Sequence, residues 1–159
     1  FMGGGEMIST VSKDGFIPNE IPWRFEAGTP AIAEVITLKV AIDYIKSIGI
    51  KNIAEYENDL LEYTTTKILG IDGIETYACG DIDKGPVVSF NVKGVHPYDL
   101  TQILDQMGVA IRSGHHCAQP LMNIFGVEAM NRISLSFYNT KDEIDYLVDS
   151  IKKSIAIIH

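Results

Sequence analysis

The chain has 159 residues, of which 46% are hydrophobic and 21% are charged, a composition typical of a folded domain with its own hydrophobic core. Thirteen basic and 21 acidic residues give a formal net charge of −8, which argues against a nucleic-acid-binding surface and against a face for anionic membranes. The chain shows no run long enough to span a membrane, no signal peptide, and only two cysteines, too few for a disulfide scaffold, so we expect a cytoplasmic protein.

Residues 1–29 show no sustained hydrophobic period and contain several glycines and prolines, which predicts an irregular segment. A structureless stretch of this length is uncommon in a compact domain. We therefore expect the segment to pack on further chain or on a neighbouring subunit, and the chain to be a piece of a longer protein.

Two helices are predicted after this segment. Thr29 and Pro30 form a favourable helix start, and apolar residues then recur at helical spacing as far as Ile48, just before Gly49. A second helix is predicted from Asn52, which pairs with Glu55 in a pattern like a capping box, to Gly70.

The rest of the chain predicts short strands mixed with helices. Strands are expected at residues 74–79, 87–92, 109–112 and 132–137, with a turn at residues 81–85 between the first two. A helix is expected at residues 97–107, with His96 at its start, and a last helix after the capping box of Thr140 and Glu143. This order predicts an α+β fold, a largely antiparallel sheet with helices on one face.

The densest group of chemically capable residues is the loop at residues 113–122, which contains His115, His116 and Cys117. Two of the three arginines, Arg112 and Arg132, flank it. A cysteine is nucleophilic as its thiolate, and neighbouring cations favour that form. The pattern therefore favours a reactive thiol at Cys117 over an inert core cysteine, whereas Cys79, without basic neighbours, is expected in the core.

Other interpretations of this loop are weaker. His115, His116, Cys117 and His96 are all competent zinc ligands, but adjacent side chains of an extended segment diverge and no second pair has ligand spacing, so we expect no metal site. A Cys-His hydrolase would need an oriented base that the sequence does not indicate. Arg132 fits either a strand-end residue reaching solvent or a bidentate anchor for a carboxylate, and spacing does not choose between them.

Five stretches of the chain resemble one known family. Arg-Ser-Gly-His-His-Cys-Ala-Gln-Pro-Leu-Met at residues 112–122 resembles the active-site loop of SufS-type cysteine desulfurases, pyridoxal-phosphate enzymes related to selenocysteine lyase. The resemblance extends to Gly-Gly-Gly-Glu-Met-Ile (3–8), Trp-Arg-Phe-Glu-Ala-Gly-Thr-Pro (23–30), Asn-Ile-Ala-Glu-Tyr-Glu (52–57) and Phe-Tyr-Asn-Thr (137–140). It covers nearly the whole chain.

The resemblance implies a pyridoxal-phosphate-dependent transferase of fold type I. Residues 1–29 would end its large domain, facing the cofactor and the dimer, and residues 30–159 would form its small C-terminal domain. Cys117 would take sulfur from L-cysteine, leaving L-alanine and a persulfide that passes to an acceptor protein for iron–sulfur cluster assembly. The resemblance further implies that Arg132 binds the substrate carboxylate and that Arg112 holds the substrate or the thiolate. His115 and His116 would support the loop. Gly28 and Thr29 would contact the cofactor phosphate of the other subunit of a homodimer.

One departure from the family pattern limits what is expected of the chain. The family's Ser-x-His-Lys motif, which carries the lysine that binds the cofactor covalently, is absent from the sequence. We therefore expect the chain alone to be inactive. A selenocysteine lyase, a non-enzymatic sulfur carrier or regulatory remnant, and an inert α+β domain remain as alternatives.

Overall fold

The computed structural model describes residues 3–77 and 84–159. The chain divides into two compact units, residues 1–50 and residues 51–159. The boundary predicted at residues 29 and 30 between a large and a small domain stays a prediction.

The first unit opens with a β-hairpin, so the prediction of an irregular segment over residues 1–29 is wrong. Strand β1 (Ile8–Ser12) pairs antiparallel with β2 (Gly15–Pro18). The Ser12 hydroxyl closes the turn by donating to the Gly15 carbonyl and accepting from the Asp14 N–H. The two strands are joined by Lys13 and Asp14. Both strands are short and largely exposed, so they leave no alternating hydrophobic pattern in the sequence.

Two long helices follow, and both begin away from their predicted caps. Helix α1 (Ile32–Ile48) starts after Ala31 and has no side-chain cap, so the prediction of a helix start at Thr29 is wrong. Helix α2 (Ile50–Leu69) begins directly after Gly49, two residues before the predicted start at Asn52. Gly49 adopts a positive φ of 94°, which lets one helix end and the next begin without a connecting loop.

The second unit contains a four-stranded antiparallel sheet in the order β3-β4-β6-β5. Its strands are β3 (Ile74–Tyr77), β4 (Val87–Val92), β5 (Arg112–Gly114) and β6 (Met130–Ser134). The strands predicted at residues 109–112 and 132–137 are therefore displaced by two or three residues. Cys79 and most of the predicted turn at residues 81–85 lie outside the described residues.

Three more helices complete the second unit. Helix α3 (Pro97–Gln106) is capped by His96, whose Nδ1 accepts from the Tyr98 N–H at 3.2 Å, which confirms His96 as a helix-start residue. Helix α4 (Gln119–Phe125) was not predicted and lies just after the cysteine loop. Helix α5 (Lys141–Ile158) begins with the predicted capping box, in which Thr140 and Glu143 exchange hydrogen bonds.

The hydrophobic core lies on one face of this sheet. Alternate residues of β4, among them Val88 and Phe90, are buried together with Ile133 of β6. Residues of α2, α3 and α5, such as Leu60, Leu104 and Ile151, cover that face and belong to the same buried cluster. The described chain thus has the predicted α+β fold, an antiparallel sheet with helices packed on one face. Within the described ranges, no helix is both long enough and apolar enough to cross a membrane.

Candidate functional site

The cysteine lies on a tight turn between β5 and α4. His116 and Cys117 both adopt left-handed backbone conformations, with φ of 54° and 58°, which cost a non-glycine residue about 1–2 kcal/mol each. The turn is closed by the Ala118 N–H, which donates to the His115 carbonyl at 2.9 Å. Cys117 is exposed at its tip, so the interpretation of this residue as an inert core cysteine is wrong.

The two histidines of the turn are held by hydrogen bonds that assign their tautomers. Nδ1 of His115 accepts from the Cys117 N–H at 3.1 Å, so this nitrogen carries no proton. Nε2 of His116 lies 3.0 Å from the Met130 carbonyl, which only accepts, so this nitrogen carries a proton and donates. His116 thereby ties the turn to the first residue of β6.

The positive charge nearest the thiol comes from an arginine rather than from His116. Burial lowers the pKa of His116, and the positive charges of Arg132 and Arg112 lower it further, against the opposing effect of the Met130 carbonyl. His116 is therefore neutral at pH 7. Arg112 instead places Nη2 3.7 Å from Sγ of Cys117, within reach of a weak charge-assisted hydrogen bond to the sulfur.

The sheet brings the two predicted arginines to the same place. Arg112 of β5 lies directly opposite Arg132 of β6, and Arg132 lies opposite Ser89 of β4. Opposed residues in an antiparallel pair point to the same face, here the face opposite the buried Ile133. Neither guanidinium forms an ion pair with a carboxylate of the described residues. Arg132 is thus not a strand-end residue, because it occupies the middle of β6 beside the cysteine turn.

One polar neighbour of this site was missed by the sequence analysis. Nε of Arg132 donates to Oγ of Ser134 at 3.1 Å. The two residues are two positions apart on β6, and residues at that spacing share a face of a strand. The Arg-x-Ser spacing is the only signal in the sequence, and it becomes informative once both residues are known to lie on one strand.

The predicted phosphate-binding residues belong to the first unit. Gly28 adopts a positive φ of 85°, and its N–H donates to the Gly4 carbonyl at 3.1 Å. A Cβ at Gly5 would come within 2.9 Å of the Gly28 carbonyl, so the two backbones pack closely. Thr29 follows on an exposed turn just before α1.

The described residues contain no group of three or more His, Cys, Asp or Glu side chains placed to hold a metal ion. A hydrogen bond with a backbone group is formed by each of the side chains of His96, His115 and His116.

Comparisons with known proteins identify one family. The family model for aminotransferase class-V matches residues 1–147. A probable cysteine desulfurase of Xylella fastidiosa is 48% identical over 153 residues, which are 96% of this chain and 36% of that protein. The chain therefore spans little more than a third of the length of such relatives.

Solved structures with the same fold include two cysteine desulfurases. CsdA from Escherichia coli, in an S-sulfonic acid form, has a TM-score of 0.82 and 33% identity, over 99% of this chain and 39% of that one. The apo enzyme from Thermococcus onnurineus has a TM-score of 0.80 and 38% identity, over 94% of this chain and 38% of that one.

Proposed function

Because the chain belongs to the class-V aminotransferase family, we propose that it provides the sulfur-accepting part of a SufS-type cysteine desulfurase. The observation that carries this proposal is the exposed Cys117 thiol, 3.7 Å from the guanidinium of Arg112, which lies directly opposite Arg132 in the sheet. The relatives named above are cysteine desulfurases, and the chain covers only part of each. The activity is therefore proposed for the complete, pyridoxal-phosphate-bound protein that contains residues 1–159, called the holoenzyme below.

Cys117 is the proposed acceptor of sulfur from L-cysteine. Its thiolate forms an S–S bond with the substrate sulfur while the carbon–sulfur bond of the substrate breaks. The bonding pair stays with the carbon, which takes up a proton, so that the products are L-alanine and a persulfide on Cys117. The turn suits this role because Cys117 is exposed at its tip.

The two arginines are proposed to bind different negatively charged groups. Arg112 stabilises the negative charge of the attacking sulfur, since a cation close to a thiolate lowers its free energy relative to the thiol. Arg132 holds the substrate carboxylate, because a guanidinium presents paired N–H donors that match two carboxylate oxygens. Their opposed positions on β5 and β6 place both charges on one face, so one bound amino acid can reach both.

His115 and His116 are proposed to support the turn rather than to carry protons. The His115 acceptor fixes the Cys117 N–H, and the His116 donor ties the turn to Met130. Both bonds restrain a backbone that would otherwise relax from its left-handed conformation.

The Gly28–Thr29 turn is the proposed contact for the cofactor phosphate of the other subunit of a homodimer. Gly28 keeps its backbone free of a side chain, and Thr29 offers a hydroxyl and an N–H on an exposed turn, a donor set that fits a phosphate oxygen. Pyridoxal phosphate, when bound, supplies an electron sink that weakens the bonds of the amino acid. The lysine that binds it covalently is not in this chain.

The proposal also includes the fate of the sulfur and the cellular compartment. The persulfide would pass to an acceptor protein for iron–sulfur cluster assembly, in the cytoplasm. Release of sulfur from L-cysteine, compared with release of selenium from L-selenocysteine in the same holoenzyme, distinguishes a desulfurase from a selenocysteine lyase.

Replacing the thiol tests the proposal. In the holoenzyme, Cys117→Ala should abolish sulfide release from L-cysteine in the presence of a reductant, because no other described side chain can accept the sulfur beside Arg112. Cys79→Ala is the matched control and should keep full activity. Full activity in Cys117→Ala would rule out the proposed role.

The missing lysine gives a second test. The purified 159-residue chain, mixed with pyridoxal phosphate and then desalted, should keep no yellow colour and form no alanine from cysteine. Lasting colour together with alanine production would contradict the assignment of these steps to a longer protein.

The carboxylate contact is tested at Arg132. Arg132→Lys keeps the charge and loses the fork of donors, so KM for L-cysteine should rise strongly in the holoenzyme. An unchanged KM would remove Arg132 from the substrate site.

A further inference from the structure

The direction in which Arg132 presents its guanidinium is set by a neighbour on its own strand. A guanidinium carries five N–H donors in a rigid plane, one on Nε and two on each Nη. In Arg132 the Nε donor is already used, because it donates to Oγ of Ser134 at 3.1 Å. A carboxylate that binds this side chain through two parallel bonds is therefore left with the edge formed by the two Nη atoms.

We propose that Ser134 is a positioning residue, which fixes the plane of the Arg132 guanidinium so that its Nη edge faces the substrate carboxylate. The proposal rests on the function proposed above, and adds a residue that determines how the substrate is bound. A long arginine side chain loses several rotamers when it is fixed, and this loss otherwise weakens binding. A hydroxyl that holds the plane before the substrate arrives reduces that loss.

Ser134 is suited to this role and to little else. It is exposed at the end of β6, so its side chain contributes nothing to the buried core. Its partner strand β4 pairs with it through the backbone, which a side-chain substitution leaves in place. Arg112, directly across the sheet, has no such partner for Nε among the described residues, and its Nη2 faces Cys117 instead.

The hydrogen bond can be tested on the 159-residue chain itself. The chain has three arginines, so an NMR spectrum of arginine Nε–H groups contains three signals, which Arg→Lys variants assign. Ser134→Ala should shift the Arg132 signal and speed its exchange with water about fivefold, whereas Ser134→Thr should restore it. The Arg24 signal is an internal control, since its Nε donates to the Asn19 carbonyl at 3.0 Å. An unchanged Arg132 signal in Ser134→Ala would overturn the proposal.

Kinetics of the holoenzyme test the consequence. Ser134→Ala should raise KM for L-cysteine about fivefold, with kcat within about twofold of wild type, because the hydrogen bond that orders Arg132 before the substrate binds is lost. Ser134→Thr, which keeps the hydroxyl, should restore KM. Ser136→Ala removes a hydroxyl two residues further along and should leave both constants unchanged.

The outcomes separate this inference from the proposed function. If Arg132→Lys raises KM and Ser134→Ala does not, Ser134 has no positioning role while the carboxylate contact stands. If Arg132→Lys leaves KM unchanged, the carboxylate contact itself fails, and the inference fails with it. A fall in kcat without a change in KM for Ser134→Ala would also overturn the positioning role.

Discussion

Replacing Arg112 by glutamine is expected to slow the alkylation of Cys117 at neutral pH. The substitution keeps a polar side chain of similar length and removes the positive charge that lies 3.7 Å from Sγ. Both groups are exposed, so the charge–charge attraction is evaluated at the dielectric constant of water. At 3.7 Å it amounts to about 1 kcal/mol.

This energy converts directly into a reactivity. A loss of about 1 kcal/mol from the stabilisation of the attacking, negatively charged sulfur corresponds to a factor of about five in rate. The alkylation rate of Arg112→Gln at neutral pH should therefore be about fivefold lower than that of wild type.

The assay is the second-order rate of reaction with iodoacetamide at neutral pH, measured in a Cys79→Ser background so that Cys117 is the one thiol. Lys153→Gln, which removes an exposed charge of α5, gives the same change in net charge and serves as the control. At about 1 M salt the screening length falls to about 3 Å, and the difference should shrink. Equal rates in wild type and Arg112→Gln, or an equal loss in Lys153→Gln, would refute the reasoning.

Three further predictions concern the stability of the second unit, measured by urea unfolding. Thr140→Ala should cost about 1 kcal/mol, because it removes the N-terminal cap of α5, and an unchanged midpoint would contradict the capping box. Hydrogen bonds from Lys67 and Tyr63 hold the pKa of Asp145 below its usual value. The stability that they contribute is therefore present at neutral pH and should be lost as pH falls through that lowered pKa. In Asp145→Asn, the free energy of unfolding should depend less on pH between pH 5 and 2. Thr101→Val should cost about 1–3 kcal/mol, because its hydroxyl lies 3.0 Å from Oδ1 of the fully buried Asn131, and a neutral effect would contradict that bond.

Each of the first two stability variants has a matched control in the same unit. Thr66→Ala removes an exposed helix hydroxyl that bonds only to the preceding turn, and it should leave the midpoint nearly unchanged. Asp149→Asn removes an exposed carboxylate from the same helix as Asp145 and should keep the pH dependence of wild type.

The long helices and the caps based on side chains were predictable, because their signals are local. The capping box of Thr140 and Glu143 and the cap at His96 depend on residues within one turn. Thr29 carries the same local signal and does not cap a helix, since α1 begins three residues later. A cap residue therefore predicts a helix start only where the residues that follow it are helical.

The strands were located less well, because their limits depend on partners far away in the sequence. Strand β5 is three residues long and begins at Arg112, where its pairing with β6 begins, rather than at the apolar residues before it. Helix α4, which begins at Gln119 and Pro120, was not predicted. It follows the cysteine loop directly, and this stretch was interpreted from its reactive residues rather than from the spacing of its apolar residues.

The site residues came from the resemblance and their geometry from the sheet. The motif around Cys117 predicted the site residues, whereas spacing alone left two interpretations for Arg132. The register of β5 against β6 shows why Arg112 and Arg132 share a face. The tautomer of His116 and the bond to Ser134 could not be predicted, because each depends on the position of a side chain relative to a folded strand.

The most direct measurement is the mass of the Cys117 peptide after the holoenzyme has reacted with L-cysteine without reductant. We expect that peptide to gain the mass of one sulfur atom, in proportion to the alanine released in the first turnover, and to lose it on treatment with a thiol. Alanine release with Cys117 unmodified and the sulfur on another residue, or free in solution from the start, would contradict the account.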